Sequence, residues 1–121
     1  MPIKFKRLDH LQICIPTGKE NEARAFYTNL IGLTEIPKPK ELIHNGGLWY
    51  QIGDTQLHIG TENGSNLSKR HPAFEVEDIQ VARELLEKNG IKINEKIQVP
   101  GRIRFSFFDP FENRIELLQL I

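Results

Sequence analysis

One order of elements occurs twice in this chain, and that recurrence restricts the possible folds more than any other feature. Residues 8–15, Leu-Asp-His-Leu-Gln-Ile-Cys-Ile, alternate, with Leu11, Ile13 and Ile15 on one face and His10, Gln12 and Cys14 on the other. Alternation of period two is the mark of a strand with one face on a core. Pro16-Thr17-Gly18 breaks the strand. From Glu20 to about Leu30, the residues Ala23, Phe26, Tyr27 and Leu30 recur at three- and four-residue steps, as a core-facing helix requires. Gly32 stands where a helix C-terminal glycine belongs. Pro37 and Pro39 restrict the next segment to a short edge strand or loop. Residues 48–52 and 55–59 read as two strands joined by the hairpin turn Gly53-Asp54. Residues 61–70 are polar and rich in turn formers, which predicts a linker.

The order then recurs. Residues 71–77 alternate, with His71, Ala73 and Glu75 opposite Pro72, Phe74 and Val76. Residues 79–89 predict a helix with Ile79, Ala82, Leu85 and Leu86 on its core face, ended by Gly90. A short strand is expected within 91–97, and Pro100-Gly101 turns the chain. Residues 102–108 and 114–120 form two further strands. The halves match only loosely in residues, as in Ala23-Arg24-Ala25-Phe26 against Ala82-Arg83-Glu84-Leu85. Their order is the same: two tandem βαβββ modules, about 5–62 and 70–121, in a single domain of the α+β class.

Polar strand residues take equivalent places in this frame. His10 and His71 lie on the first strand of each half, and His58 and Glu116 on the last. Each stands opposite the apolar, helix-packed side chains, as His58 does between Leu57 and Ile59 and Glu116 between Ile115 and Leu117. If the halves pack as a pseudo-twofold pair, the sheet is cupped and all four side chains enter one concavity. Imidazoles and a carboxylate suit zinc, nickel, iron, cobalt or manganese. His10, His71 and Glu116 are thus expected as ligands of a divalent metal, with His58 as a fourth candidate. Strand parity adds Gln12, Trp49, Gln51, Arg104 and Ser106 as pocket-lining residues, with Trp49 an apolar wall and Arg104 a cationic anchor. His44 lies beside Asn45-Gly46-Gly47 and is read as a surface loop residue.

Charge removes several function classes. Sixteen basic and sixteen acidic residues cancel, so there is no electrostatic footprint for nucleic acid or an anionic membrane. No apolar run approaches the roughly 18 residues of a membrane helix, and the first residues lack the apolar stretch of a signal peptide. A single cysteine, Cys14, has no internal partner for a disulfide and fits a reducing, cytoplasmic compartment. A small-molecule substrate is the expected partner.

Four segments carry a family resemblance over nearly the whole chain. They are Leu8-Asp9-His10-Leu11-Gln12-Ile13; Ala25-Phe26-Tyr27 leading to Leu30-Ile31-Gly32-Leu33; His71-Pro72-Ala73-Phe74-Glu75-Val76-Glu77-Asp78; and Asp109-Pro110-Phe111-Glu112-Asn113-Arg114-Ile115-Glu116-Leu117. Together they resemble the vicinal oxygen chelate superfamily, which includes glyoxalase I, fosfomycin-resistance proteins, bleomycin-resistance proteins and extradiol dioxygenases. Glu112 stands where many members have Gly. The resemblance implies metal ligation by His10, His71 and Glu116. The glyoxalase I pattern adds a fourth ligand, usually Glu, where this chain has His58. Fosfomycin-resistance members lack that ligand and carry a tryptophan where Trp49 stands, but the potassium-binding loop of those enzymes is not seen here. By resemblance the metal acts as a Lewis acid, Glu116 shuttles the proton alpha to a carbonyl, and the chain forms a homodimer whose metal site shares ligands from two chains. The implied activity is a glyoxalase I-like lyase or isomerase. The alternatives are an iron-dependent ring-cleaving dioxygenase or thiol transferase, and a non-catalytic binding protein of the antibiotic-resistance type.

Overall fold

Each half of the chain builds its own four-stranded sheet. The computed structural model describes residues 2–121, which fall into two units, one ending at Gly64 and the other beginning at Ser65.

The first unit runs β1 (His10–Ile15), α1 (Glu20–Arg24), β2 (Thr34–Ile36), β3 (Leu48–Ile52) and β4 (Thr55–Thr61). The sheet order is β1-β4-β3-β2, with β1 parallel to β4 and the other pairs antiparallel. The predicted helix over residues 20–30 changes form midway: α1 continues as a π-helical segment, Ala25–Leu30. The Ile31 amide donates to the Phe26 carbonyl, five residues back, at 2.8 Å. The looser winding accommodates the poor helix formers Tyr27, Thr28 and Asn29. It buries both Phe26 and Tyr27 with Ala23. These side chains share the core with Ile13, Ile15, Leu48, Tyr50, Leu57 and Ile59, each aliphatic one contributing about 1.5–3 kcal/mol. The Tyr50 hydroxyl is hydrogen-bonded to Thr28 Oγ1 at 2.8 Å, so its polar tip is satisfied inside. Thr61 belongs to β4, so the linker begins one residue later than expected. His44, expected in a loop, lies exposed in a short 3-10 helix, Lys40–Asn45.

The second unit runs β5 (Ala73–Glu75), α2 (Ile79–Lys88), β6 (Asn94–Glu95), β7 (Arg102–Phe108) and β8 (Arg114–Leu120). Its order, β5-β8-β7-β6, repeats that of the first. The strand expected over 71–77 shrinks to three residues. Pro72 has no N–H for the ladder and joins it only through its carbonyl, which accepts the Glu116 amide at 3.0 Å. Asp78 then caps α2, its Oδ1 accepting the Gln80 and Val81 amides at 3.0 and 3.1 Å. His71 therefore precedes β5 and is not on the strand. The strand expected within 91–97 is two residues long. Of the expected helix face, Ile79 and Leu86 are buried, but Leu85 is 40% exposed. Arg83 takes the inward place instead, its guanidinium 5.0 Å from the centre of the Phe105 ring. No helix among the described residues is long and apolar enough to cross a membrane.

Candidate metal and substrate site

The two sheets bring the four candidate ligands together two by two: His10 with His58, and His71 with Glu116.

In the first unit, β1 and β4 run side by side, and His10 and His58 project from the face opposite the core. His10 Nδ1 lies 2.9 Å from Asp9 Oδ2. That hydrogen bond, more than any other influence, holds the Asp9 carboxyl below its usual range. Arg7 grips the other Asp9 oxygen at 3.1 Å and the Asp54 carbonyl at 2.8 Å. An ionised Asp9 accepts the proton of His10 Nδ1, leaving Nε2 with its lone pair outward. A carboxylate behind a histidine is the usual support of a metal-binding imidazole.

His58 is placed differently. Its ring stacks on Trp49, with centroids 3.9 Å apart and planes at 4°, and on His10 at 4.1 Å and 15°. Its Nε2 meets Gln56 Oε1 at 2.9 Å. Burial, followed by the nearby charge of His10, pushes its pKa down, so the ring is neutral and Nε2–H donates to Gln56. Gln56 Nε2 in turn donates to Gln51 Oε1 at 3.4 Å, and Gln51 Nε2 to the Gly53 carbonyl at 2.8 Å.

This face opens into a cavity of about 590 Å³, lined among others by Asp9, His10, Gln12, Lys38, Trp49 and His58. The expected pocket residues Gln12 and Trp49 are thus present. Gln51 is not among the described lining residues, and its amide braces Gln56. The 3-10 helix contributes Leu42 and Asn45 to the wall. That segment is held down by the Gly47 amide donating to Glu20 Oε2 at 3.1 Å and by Lys38 Nζ donating to the Gly46 carbonyl. Gly47 has a φ of 87°, and a Cβ there would lie 2.1 Å from the Ile59 carbonyl oxygen, so only glycine lets the segment approach β4. Lys38 and Gln56 were not expected at the site. Gln56 shares the parity of His58 on β4, a signal that could have found it; Lys38 lies between prolines and has no periodic signature.

In the second unit, Glu116 is buried on β8, opposite Ser106 of β7 in the sheet register. His71 Nδ1 lies 2.7 Å from the Lys69 carbonyl, to which it must donate. His71 Nε2 faces Glu116 Oε1 at 3.1 Å. Lys96 Nζ and Arg104 Nη1 approach the same oxygen at 3.4 and 3.5 Å. Arg104 is itself braced by the Ile97 carbonyl, at 3.2 Å from Nε and 2.9 Å from Nη2. The expected residues His71, Arg104, Ser106 and Glu116 are thus assembled, and Lys96, from the aperiodic stretch after β6, joins them.

The donor chemistry fits a divalent metal. An imidazole nitrogen and a carboxylate oxygen stand 3.1 Å apart, a spacing two ligands of one cation can have, and the far nitrogen of His71 is fixed by a carbonyl. Among the described residues, no three His, Cys, Asp or Glu side chains gather closely enough to hold a metal.

Relatives show the same construction. A Bacillus anthracis protein assigned to the glyoxalase family is 44% identical, with both chains covered in full and a TM-score of 0.92. Lactoylglutathione lyase from Agrobacterium tumefaciens shares the fold at 16% identity, covering 93% of this chain and 92% of that one, with a TM-score of 0.73. An antibiotic binding protein from Streptomyces does so at 18% identity, covering 99% and 100%, with a TM-score of 0.75. No curated protein matches the chain in sequence. The family profile matches residues 7–117, from the arginine that grips Asp9 to the residue after Glu116. The chain therefore belongs to the Glyoxalase/Bleomycin resistance protein/Dioxygenase superfamily.

Proposed function

We propose that this protein is a metal-dependent lyase or isomerase of the glyoxalase I type, acting on a small molecule with an acidic C–H alpha to a carbonyl. The observation that carries the proposal is the pairing of His71 with the buried Glu116, 3.1 Å apart. His10, His71 and Glu116 are its ligands for zinc, nickel, iron, cobalt or manganese. When bound, such an ion stabilises negative charge developing on a substrate oxygen. Glu116 Oε1 takes the proton from the alpha carbon and returns it to the neighbouring one. Lys96 and Arg104 hold that carboxylate in place during the transfer. Asp9 keeps the His10 lone pair on Nε2, and Lys69 does the same for His71. His58, with both ring faces covered and Nε2 engaged by Gln56, serves as a wall of the cavity and is not a fourth ligand. The proposal includes a cytoplasmic homodimer, which would sediment at twice the mass of one chain.

The test is turnover of thiol adducts of methylglyoxal by protein loaded in turn with nickel, cobalt, zinc, iron and manganese. Activity is expected with at least one metal and is lost in Glu116→Gln. Silence with every metal overturns the proposal. Oxygen uptake with ferrous iron and a catechol would instead assign the protein to the ring-cleaving dioxygenases. A second reading, small-molecule binding without turnover, is favoured by the cavity of the first unit, where the stacked Trp49–His58–His10 column forms a flat wall for a ligand.

A further inference from the structure

We infer that Lys38 is the anchor for a carboxylate on the substrate, and that the cavity of the first unit takes a small, flat, unsaturated organic carboxylate. This rests on reading that cavity as the substrate site.

Lys38 is the only lysine or arginine among the described residues that line the cavity. It is half-buried, and none of the ion pairs among the described residues involves it. Its ammonium donates to the Gly46 carbonyl, which fixes its position on the cavity wall. An ammonium has three N–H donors, so two remain for a ligand. The one carboxylate on the lining, Asp9, is already paired with the Arg7 guanidinium and hydrogen-bonded to His10. The side chains of Gln12, Asn45, Gln56 and Thr61, also on the lining, are uncharged. The cavity therefore presents one uncompensated positive charge, and a charge half-removed from water gains most from a ligand anion.

The size and walls restrict the rest of the ligand. A volume of about 590 Å³ suits a small molecule. One wall is a column of three parallel rings that ends on His10, whose side chain is 46% exposed. A flat conjugated body can lie against that ring with its carboxylate turned to Lys38. A phosphate dianion fits less well, because one ammonium matches one charge and no guanidinium fork lines the cavity.

Trp49 is the single tryptophan of the chain and lines the cavity, so its fluorescence reports occupancy. The experiment titrates the full chain with benzoate, with neutral benzamide of the same shape and with inorganic phosphate, in EDTA and again with zinc. Benzoate is expected to bind the wild type about tenfold or more tighter than benzamide. Lys38→Met should abolish that preference and leave benzamide within about twofold, and Lys38→Arg should retain it. The preference is measured on the unaltered protein, so it does not depend on the folding of a variant. Equal binding of benzoate and benzamide, an undiminished preference in Lys38→Met, tighter binding of phosphate, or loss of benzoate binding in EDTA would each overturn the inference. A protein that keeps the Lys38-dependent preference but binds no metal refutes the catalytic proposal alone. One that turns over thiol adducts without any carboxylate preference refutes only the role of Lys38.

Discussion

Replacing Glu116 by Gln tests the second unit's charge cluster without altering its shape. The Glu116 side chain is 5% exposed, and His71 Nε2 and the cationic Lys96 Nζ and Arg104 Nη1 lie 3.1, 3.4 and 3.5 Å from its Oε1. Glutamine keeps an oxygen in that place but removes the negative charge, so the donors lose their common counter-ion. Breaking a buried ion pair from one side costs about 3–5 kcal/mol. Two features reduce this. The amide oxygen still accepts one hydrogen bond, and Lys96 and Arg104 retain 17% and 23% exposure, so water screens part of their charge. The expected loss in metal-free protein is about 2–3 kcal/mol. For a chain of this size that is a fall in Tm of about 8–12 °C. Urea and thermal unfolding in EDTA, followed by far-ultraviolet circular dichroism, measure it. A loss below about 0.5 kcal/mol would show that the cluster is solvated and does not organise this end of the sheet, and the proposed ligand pair would lose its structural basis.

Three further substitutions test the framework around the site. Gly47→Ala places a Cβ 2.1 Å from the backbone oxygen of Ile59, so it should cost about 2–4 kcal/mol and expose the cavity wall to proteolysis within 40–47; wild-type stability would contradict it. Glu112 has a φ of 70° in the turn where Asp109 Oδ1 accepts the Phe111 and Asn113 amides, so Glu112→Gly should raise stability by about 0.5–1 kcal/mol in urea melts, and a loss would refute the strain argument. Burial raises the Tyr50 pKa, so the folded state favours the neutral phenol; that stability is complete below the unfolded value of about 10 and is lost as pH rises above it. Tyr50→Phe, which forfeits the Thr28 hydrogen bond at a cost of about 1 kcal/mol at pH 7, should decline less steeply than wild type above pH 10, and parallel curves would contradict this.

The chain disclosed its long alternating strands and its repeat, because period-two burial follows directly from strand geometry. β1, β7 and β8 lie where alternation places them, and His10, His58 and Glu116 stand on the faces assigned to them. Short elements were less legible, since two or three residues carry no period. β5 begins after Pro72, whose missing N–H ends the ladder, and His71 thereby leaves the strand yet still reaches Glu116 from the preceding turn. Leu85 fits the helical period but lies outward, because Arg83 fills the place over Phe105. Parity set Trp49, His58 and His10 on one face, but it did not disclose that the rings stack and cover both faces of His58. Lys38 and Lys96 come from irregular segments, where only tertiary structure determines what a lysine meets.

Metal stoichiometry tests the central claim most directly. Purified protein, and the variants His10→Ala, His71→Ala and Glu116→Gln, would be stripped with EDTA, equilibrated with zinc, nickel, cobalt, iron or manganese, and analysed for bound metal per chain. One tightly bound ion per chain is expected for the wild type, with a loss of affinity of about tenfold or more in each variant. His58→Ala should retain the ion. A wild-type chain that binds none of these metals, or one whose binding survives loss of His71 and Glu116, would contradict the account.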